Sequence, residues 1–305
     1  MQEYLEEHVN LKVWDKTVPI TREQLFKELE DVEGFITSGV KVNEELLRQA
    51  PKLRVVSTIS VGYNHFDLEA MNTYGVIGTH TPYVLDDTVA DLVISLMLSA
   101  ARRIPELDAM TKRGDWKKGN AEQSFGVDVH HQKLGIIGMG RIGEKIAQRA
   151  LFGFDMEVSY FNRNRKYEVE KKLNIKALPM DDLLKESDFI VLLVPLTSET
   201  KQLIGEREFI LMKKSAIFIN ASRGQTVDEQ ALINALKTNE ILAAGLDVYE
   251  QEPIDPNNPL LKMENVVTLP HIGSATLKTR NAMAMVAAKN IVAALLGEGS
   301  FYQVK

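Results

Sequence analysis

Apolar and polar positions along this chain switch repeatedly between a two-residue and a 3.6-residue period, which predicts strands alternating with helices. After an opening helical piece, Leu11–Val13 reads as a strand. Thr21-x-x-Gln24 has the form of a capping box ahead of Leu25, Phe26 and Leu29. Phe35-Ile36 reads as a strand, Asn43–Arg48 as a helix, Leu53–Thr58 as a buried strand and Asp67–Tyr74 as a helix closed by Gly75. From about Asp86 an apolar helix, Leu92 to Ala101, runs toward Arg102 and Arg103. Later strands are expected at Leu134–Ile137, Val158–Phe161, Phe189–Val194, Ala216–Ile219, Leu242–Asp247 and Val266–Thr268. The last helix, Leu277–Leu296, carries Met283, Val286, Ile291 and Leu295 at helical spacing, as a core stripe does. No internal repeat or low-complexity tract interrupts the pattern.

The strand at Leu134–Ile137 runs straight into Gly138-Met139-Gly140-Arg141-Ile142-Gly143, a G-x-G-x-x-G loop, and a helical pattern follows. Gly138 permits the tight turn and Gly140 lets the backbone approach a pyrophosphate. Gly143 lets the helix close onto the strand, and its N-terminus then faces the phosphates. Strand, loop and helix together make this a dinucleotide site; the bland alternative is a glycine-rich turn. The next strand decides between cofactors. An NAD-selective fold places Asp or Glu at its end to accept from the ribose hydroxyls. Here Ser159-Tyr160-Phe161 ends in Asn162-Arg163-Asn164-Arg165. A carboxylate would repel a 2′-phosphate and guanidiniums attract it, so NADPH is expected ahead of NADH. The alternative is a solvated basic turn.

Between Arg223 and His271 the chain reads SRG, then GLDVYEQEP, then LPHIGSAT. An arginine, a glutamate and a histidine are the side chains that hydride transfer to a 2-oxo acid needs. A guanidinium grips a carboxylate at two points. An imidazole titrates near neutrality and gives a proton to the carbonyl oxygen, while a carboxylate holds the imidazole and favours its charged form. Taken singly, Arg223 could be a turn residue, Glu252 a solvated loop acid, His271 a structural imidazole and Asp247 a strand-end cap. Their joint spacing favours catalysis. His130 and His131 read as loop, and His8 and His65 lie in uninformative polar context.

Composition sets limits. At 305 residues the chain is long enough for two domains. Lys plus Arg is 36 against 42 for Asp plus Glu, a net charge of −6. With no basic run interleaved with aromatics, nucleic acid is not an expected partner. The absence of cysteine excludes disulfides, a thiol nucleophile and thiolate metal sites, and no metal is expected. The acidic start lacks a signal peptide's pattern and no apolar run reaches the length of a membrane span, so a cytoplasmic enzyme is expected.

With these residues assembled, the chain resembles the D-isomer-specific 2-hydroxyacid dehydrogenases over nearly its whole length. The matching pieces are Val61-Gly62-Tyr63, Thr81-Pro82, the LGIIGMGRIG loop, VLLVPLT at Val191–Thr197, FINASRG at Phe218–Gly224, GLDVYEQEP at Gly245–Pro253 and PHIGSAT at Pro270–Thr276. Within the family it is most similar to glyoxylate/hydroxypyruvate reductases, through PHIGSAT followed by Thr279-Arg280-Asn281. The resemblance implies Arg223 as the substrate arginine, Glu252 as the histidine-orienting carboxylate and His271 as the acid/base. It implies that the amides of Val61 and Gly62 hold the substrate carboxylate. It places Thr88, Pro195, Ala221 and Asp247 at the cofactor, beside Gly138, Gly140, Arg141, Ile142, Gly143, Asn162, Arg163 and Arg165, with Arg223 and His271 meeting cofactor and substrate alike.

The implied fold is α/β, with two Rossmann-like or flavodoxin-like parallel-sheet domains and the active site in the cleft between them. Residues 1–84 plus 277–305 are expected to form the substrate domain and 85–276 the dinucleotide domain, with a homodimer built through the latter. Family chains begin with a strand and a helix, whereas this chain begins inside what reads as that helix. The smaller domain is therefore expected to lack its first strand and to leave Leu11–Val13 and the strand at Phe35 beside a gap. Rival readings are a 2-ketogluconate or other 2-oxo acid reductase of the same family and a silent dinucleotide-sensing protein. A phosphoglycerate dehydrogenase would want basic residues for a substrate phosphate.

Overall fold

The computed structural model describes residues 1–15, 17–119 and 121–304. The chain divides into two compact units, Met1–Leu85 with Ala275–Lys305, and Asp86–Ser274.

The smaller unit is built on a parallel sheet in the order β1-β2-β3, from Gly34–Thr37, Val55–Thr58 and Ile77–Thr79. One face carries α2 (Arg22–Leu29), α3 (Glu44–Gln49) and α4 (Leu68–Thr73), whose Leu25, Leu46, Leu47 and Met71 pack around Val56. The other face carries α1 (Gln2–Glu6) and the long α12 (Leu277–Leu296), with Leu5, Ala288 and Ile291 against Val55. The capping box at the start of α2 forms: the Thr21 side chain accepts from the Gln24 amide, and the Gln24 side chain accepts from the Thr21 amide. Asn43 and Asp67 cap α3 and α4 in the simpler way, each accepting one amide from the first turn.

Leu11–Val13, expected as a strand, is not one. Val13 is 47 % exposed, and Leu11 is buried only in part, by side-chain packing beside Leu5 and Ile291. Among the described residues β1 pairs with β2 alone, so the alternating Leu11-Lys12-Val13 finds no ladder to join. Two short strands carried no usable pattern: β3, and β6 at Lys176–Ala177.

The larger unit holds a seven-stranded parallel sheet. In chain order its strands are β4 (Lys133–Ile137), β5 (Glu157–Phe161), β6, β7 (Phe189–Leu192), β8 (Ile217–Asn220), β9 (Ala243–Leu246) and β10 (Val266–Thr268). They lie side by side as β10-β9-β8-β7-β4-β5-β6. Read from β4, this is the 3-2-1-4-5-6 Rossmann order with one strand added at the far edge. The strand order reverses between β4 and β7, and such a reversal opens a crevice at the strands' carboxyl ends. β7 and β8 are buried at every position, as strands covered on both faces must be.

The helices of this unit are α5 (Asp86–Ala101), α6 (Ile104–Lys112), α7 (Arg141–Phe154), α8 (Tyr167–Leu173), α9 (Met180–Glu186), α10 (Glu206–Leu211) and α11 (Glu229–Lys237). α5 packs on α7 through a ladder of ion pairs, Arg141 to Asp86, Lys145 to Asp87, and Arg149 to Asp87 and Asp91. Among the described residues no helix is long and apolar enough to cross a membrane.

Candidate active site

Arg223 follows β8 in a loop set by its neighbours' side chains. Asn220, 2 % exposed, accepts from the Ser222 amide at 3.0 Å and the Ser222 hydroxyl at 2.7 Å, and donates to the Arg223 carbonyl at 3.2 Å. The Thr226 hydroxyl donates to the same carbonyl at 2.6 Å. Gly224 seals the arrangement: a Cβ there would stand 1.8 Å from the Tyr249 carbonyl carbon. Only glycine lets this loop lie against the backbone that leads to Glu252. The Arg223 side chain is half-buried and its Nη1 donates to the Ser222 carbonyl at 2.7 Å. Burial pulls its pKa below the usual arginine value, against the opposing charge of Glu252. A guanidinium there is ready to gain from an anionic partner.

Glu252 and His271 are in contact, with His271 Nδ1 at 2.6 Å from Glu252 Oε2. Their side chains are 45 % and 35 % exposed for His271 and Glu252, so the pair is open to a small molecule yet partly shielded from water. The other carboxylate oxygen of Glu252 accepts from the Tyr249 amide at 3.1 Å. Burial pushes the Glu252 carboxyl up, but His271, the Tyr249 amide and Arg223 outweigh it and hold it below the ordinary carboxylate range. The imidazole thus faces an ionised carboxylate.

The histidine's backbone is also constrained. His271 has φ +53°, a left-handed conformation uncommon for a side-chain-bearing residue. Asp247, 2 % exposed at the end of β9, accepts from the Ile272 amide at 2.7 Å and the Gly273 amide at 2.8 Å. Both of its oxygens thereby fix the turn just past the histidine. Burial raises the Asp247 carboxyl above its ordinary value, despite these amides and His271. Tyr249 completes the frame by donating to the Leu269 carbonyl at 3.0 Å, and burial drives its hydroxyl pKa up to about 12. The sequence singled out Asp247 for the cofactor and left the roles of Asn220, Ser222, Thr226 and Tyr249 unread. Nothing in residue type alone announces that a threonine or tyrosine hydroxyl will bind a carbonyl three or twenty residues away.

The glycine loop sits where the strand order reverses. Gly138 has φ +105°, and a Cβ on it would meet the Leu193 carbonyl carbon, just past β7, at 2.8 Å. Gly140 has open space where a side chain would stand, as close approach of a pyrophosphate requires, and Gly143 lies against the Gly138 carbonyl. Ile142 follows in the first turn of α7, which begins at Arg141, and Arg141 Nε donates to Asp86 Oδ2 at 3.0 Å. Thr88 lies in the first turn of α5, and Pro195 follows β7, its carbonyl accepting from the Thr200 hydroxyl at 2.5 Å. Ala221 is the first residue past β8. These residues fit a nicotinamide dinucleotide.

Beyond β5 the basic turn is internally braced. Asn162 donates to the Asn164 carbonyl at 2.7 Å. Arg165 pairs with Glu170 through Nε and Nη2, each at 2.8 Å, and the Tyr160 hydroxyl donates to the same carboxylate at 2.6 Å. Arg165 and then Tyr160 hold the Glu170 carboxyl down to about 2. Arg163 is exposed. Val61 and Gly62 belong to the smaller unit, half-buried in the loop that follows β2.

Residues 94–273 match the family described as D-isomer specific 2-hydroxyacid dehydrogenase, NAD binding domain. The chain is 50 % identical to the glyoxylate/hydroxypyruvate reductase B of Serratia proteamaculans (strain 568), over 97 % of its own length and 91 % of that relative's. Among solved structures it resembles the NADPH-dependent glyoxylate/hydroxypyruvate reductase of Sinorhizobium meliloti in complex with NADP and malonate. The TM-score is 0.83 and the identity 32 %, over 91 % of this chain and 85 % of that one. It also resembles the D-lactate dehydrogenase of Aquifex aeolicus complexed with NAD and lactic acid, with a TM-score of 0.86 and 30 % identity over 97 % and 92 % of the two chains.

Proposed function

Because the chain belongs to the D-isomer specific 2-hydroxyacid dehydrogenase family, and is therefore a nicotinamide-dependent 2-oxo acid reductase, we propose that it reduces glyoxylate or hydroxypyruvate to the D-2-hydroxy acid, with NADPH preferred over NADH. The observation that carries the reading is the 2.6 Å contact between His271 and Glu252, with the half-buried Arg223 within reach of the same carboxylate's charge.

When bound, the reduced nicotinamide supplies the hydride. Arg223 grips the substrate carboxylate and polarises the oxo group, and the amides of Val61 and Gly62 receive the carboxylate. His271 gives its proton to the oxo oxygen from the ring nitrogen that Glu252 does not occupy. Glu252 stabilises the charged imidazole before transfer and orients it throughout. Gly138, Gly140, Arg141, Ile142 and Gly143 would hold the pyrophosphate, with Thr88, Pro195, Ala221 and Asp247 toward the nicotinamide half. Asn162, Arg163 and Arg165 would meet the 2′-phosphate. The Sinorhizobium relative is NADPH-dependent and the Aquifex relative carries NAD, so the arginines of this chain's own turn support the choice.

The functional form proposed is a homodimer through the larger unit. α6 buries none of its residues. Phe125 and Leu242, 66 % and 39 % exposed, lie at a groove of about 880 Å³ also lined by Arg103 and Lys262. Sedimentation velocity should report a species of twice the chain mass.

The deciding assay follows cofactor oxidation on adding hydroxypyruvate or glyoxylate, with NADPH and then NADH. Rapid loss of NADPH with slow loss of NADH is the expected result. A folded protein that binds NADPH tightly but turns over neither substrate would overturn the substrate assignment.

A further inference from the structure

Three consecutive carbonyls of the loop following β2, those of Ser60, Val61 and Gly62, are committed. The Ser60 carbonyl accepts from the Thr81 amide at 2.9 Å. The Val61 carbonyl accepts from His80 Nδ1 at 2.8 Å. The Gly62 carbonyl accepts from the Ser60 hydroxyl at 2.5 Å, and that hydroxyl also meets Thr58 Oγ1 at 3.0 Å. Thr58 is in turn 3.1 Å from His65 Nε2. In a planar trans peptide the carbonyl and the following N–H point in opposite directions. Tying the Ser60 and Val61 carbonyls to the segment after β3 therefore turns the amides of Val61 and Gly62 the other way. Among the described residues neither amide has an acceptor. Successive amides presented in this manner form a concavity for an anion.

His80 is itself held from both sides of its backbone. Its amide donates to the Tyr302 carbonyl at 3.0 Å, and its carbonyl accepts from Asn290 Nδ2 at 2.8 Å. Asn290, 2 % exposed on α12, closes the frame by accepting from the Tyr302 amide at 3.2 Å. The ring packs edge-on against Tyr63, with centroids 5.4 Å apart. Because a carbonyl can only accept, Nδ1 carries the proton in this contact.

We propose that His80 is a positioning residue for substrate recognition, locking the Val61–Gly62 peptide so that both amides face a 2-oxo acid's carboxylate. The inference rests on the reading that this loop receives that carboxylate. His80 touches neither substrate nor cofactor in this role; it acts through the Val61 carbonyl, and Asn290 and Tyr302 hold it in place.

The test uses the full chain with saturating NADPH. Loss of the lock in His80→Ala should raise KM for hydroxypyruvate about fivefold, the size of one net hydrogen bond, with kcat and the KM for NADPH unchanged. His80→Asn should restore the wild-type KM, since the asparagine Nδ2 falls where the imidazole Nδ1 stood and donates in the same direction. A merely structural histidine would shift the melting temperature in both variants without this split. His80→Leu serves as the donor-free variant should the alanine chain fail to fold. In parallel, amide resonances of Val61 and Gly62 are followed as oxamate is added to the NADPH complex. Downfield shifts in the wild type and in His80→Asn, reduced in His80→Ala, are expected. No shift in the wild type would overturn the carboxylate reading and the inference with it. Equal shifts in the wild type and His80→Ala, with equal KM, would overturn the role of His80 alone.

Discussion

At the scale of single residues, His271 is fixed from two directions: Glu252 takes its ring, and Asp247 takes the two amides that follow it. Replacing His271 by Asn removes the proton donor but keeps a residue tolerant of the left-handed backbone, so turnover should fall about 10²–10⁴-fold. NADPH binding, followed by fluorescence, should survive; near-normal turnover would remove His271 from the acid role. Glu252 carries a pH signature as well. Its folded carboxyl is depressed, so its contribution to stability is complete above the ordinary carboxylate range and is lost as pH falls through the lowered value. Glu252→Gln should melt below the wild type near neutrality and converge with it in acid. A gap that persists unchanged in acid would mean the ion pair is not its source. Gly224 tests packing: Gly224→Ala forces a methyl into the Tyr249 backbone and should cost at least about 1–3 kcal/mol by urea denaturation. An alanine chain of wild-type stability would show that the two loops are not in close contact.

At the scale of elements, the turn after β5 is the one proposed to set which dinucleotide is preferred. Asn162→Asp with Arg163→Ala puts a carboxylate where the ribose hydroxyls are expected and removes the exposed guanidinium, so kcat/KM should shift toward NADH. An unchanged NADPH to NADH ratio would take this turn out of cofactor choice. What the turn does with its second arginine was not legible beforehand. Arg165 is tied to Glu170, which lies five residues on in α8, and no local pattern in the chain announces that pairing. The contrast runs through the whole molecule. Capping boxes, glycine loops and twenty-residue apolar stripes are local codes, so α2, the β4–α7 junction and α12 could be read directly. Leu11–Val13 could not, because whether a three-residue alternating stretch forms a strand depends on a neighbouring ladder rather than on the residues themselves. His80 escaped for a similar reason: its meaning lies in a carbonyl nineteen positions earlier.

At the scale of the whole molecule, a chain of net charge −6 is proposed to recruit an anionic substrate and a still more anionic cofactor. The long-range field of the protein therefore opposes binding, and local cations must overcome it: Arg223 for the carboxylate, Arg163 and Arg165 for the 2′-phosphate. Salt screens both contributions, with a Debye length of about 10 Å at 0.1 M falling to about 3 Å at 1 M. Arg223 is half-buried and partly shielded from solvent and salt, so its proposed grip on a substrate carboxylate should persist. The contact of Arg163 with a 2′-phosphate would be made at an exposed position and should weaken first. Raising salt from 0.05 to 0.5 M should then increase the KM for NADPH several-fold while changing that for NADH much less, because NADH lacks the extra phosphate (estimates on the order expected for one exposed ion pair). Steady-state kinetics with both cofactors across that range, at fixed hydroxypyruvate, makes the measurement. Parallel rises for the two cofactors would place the salt effect on the shared pyrophosphate and deny the arginine turn its part in selectivity.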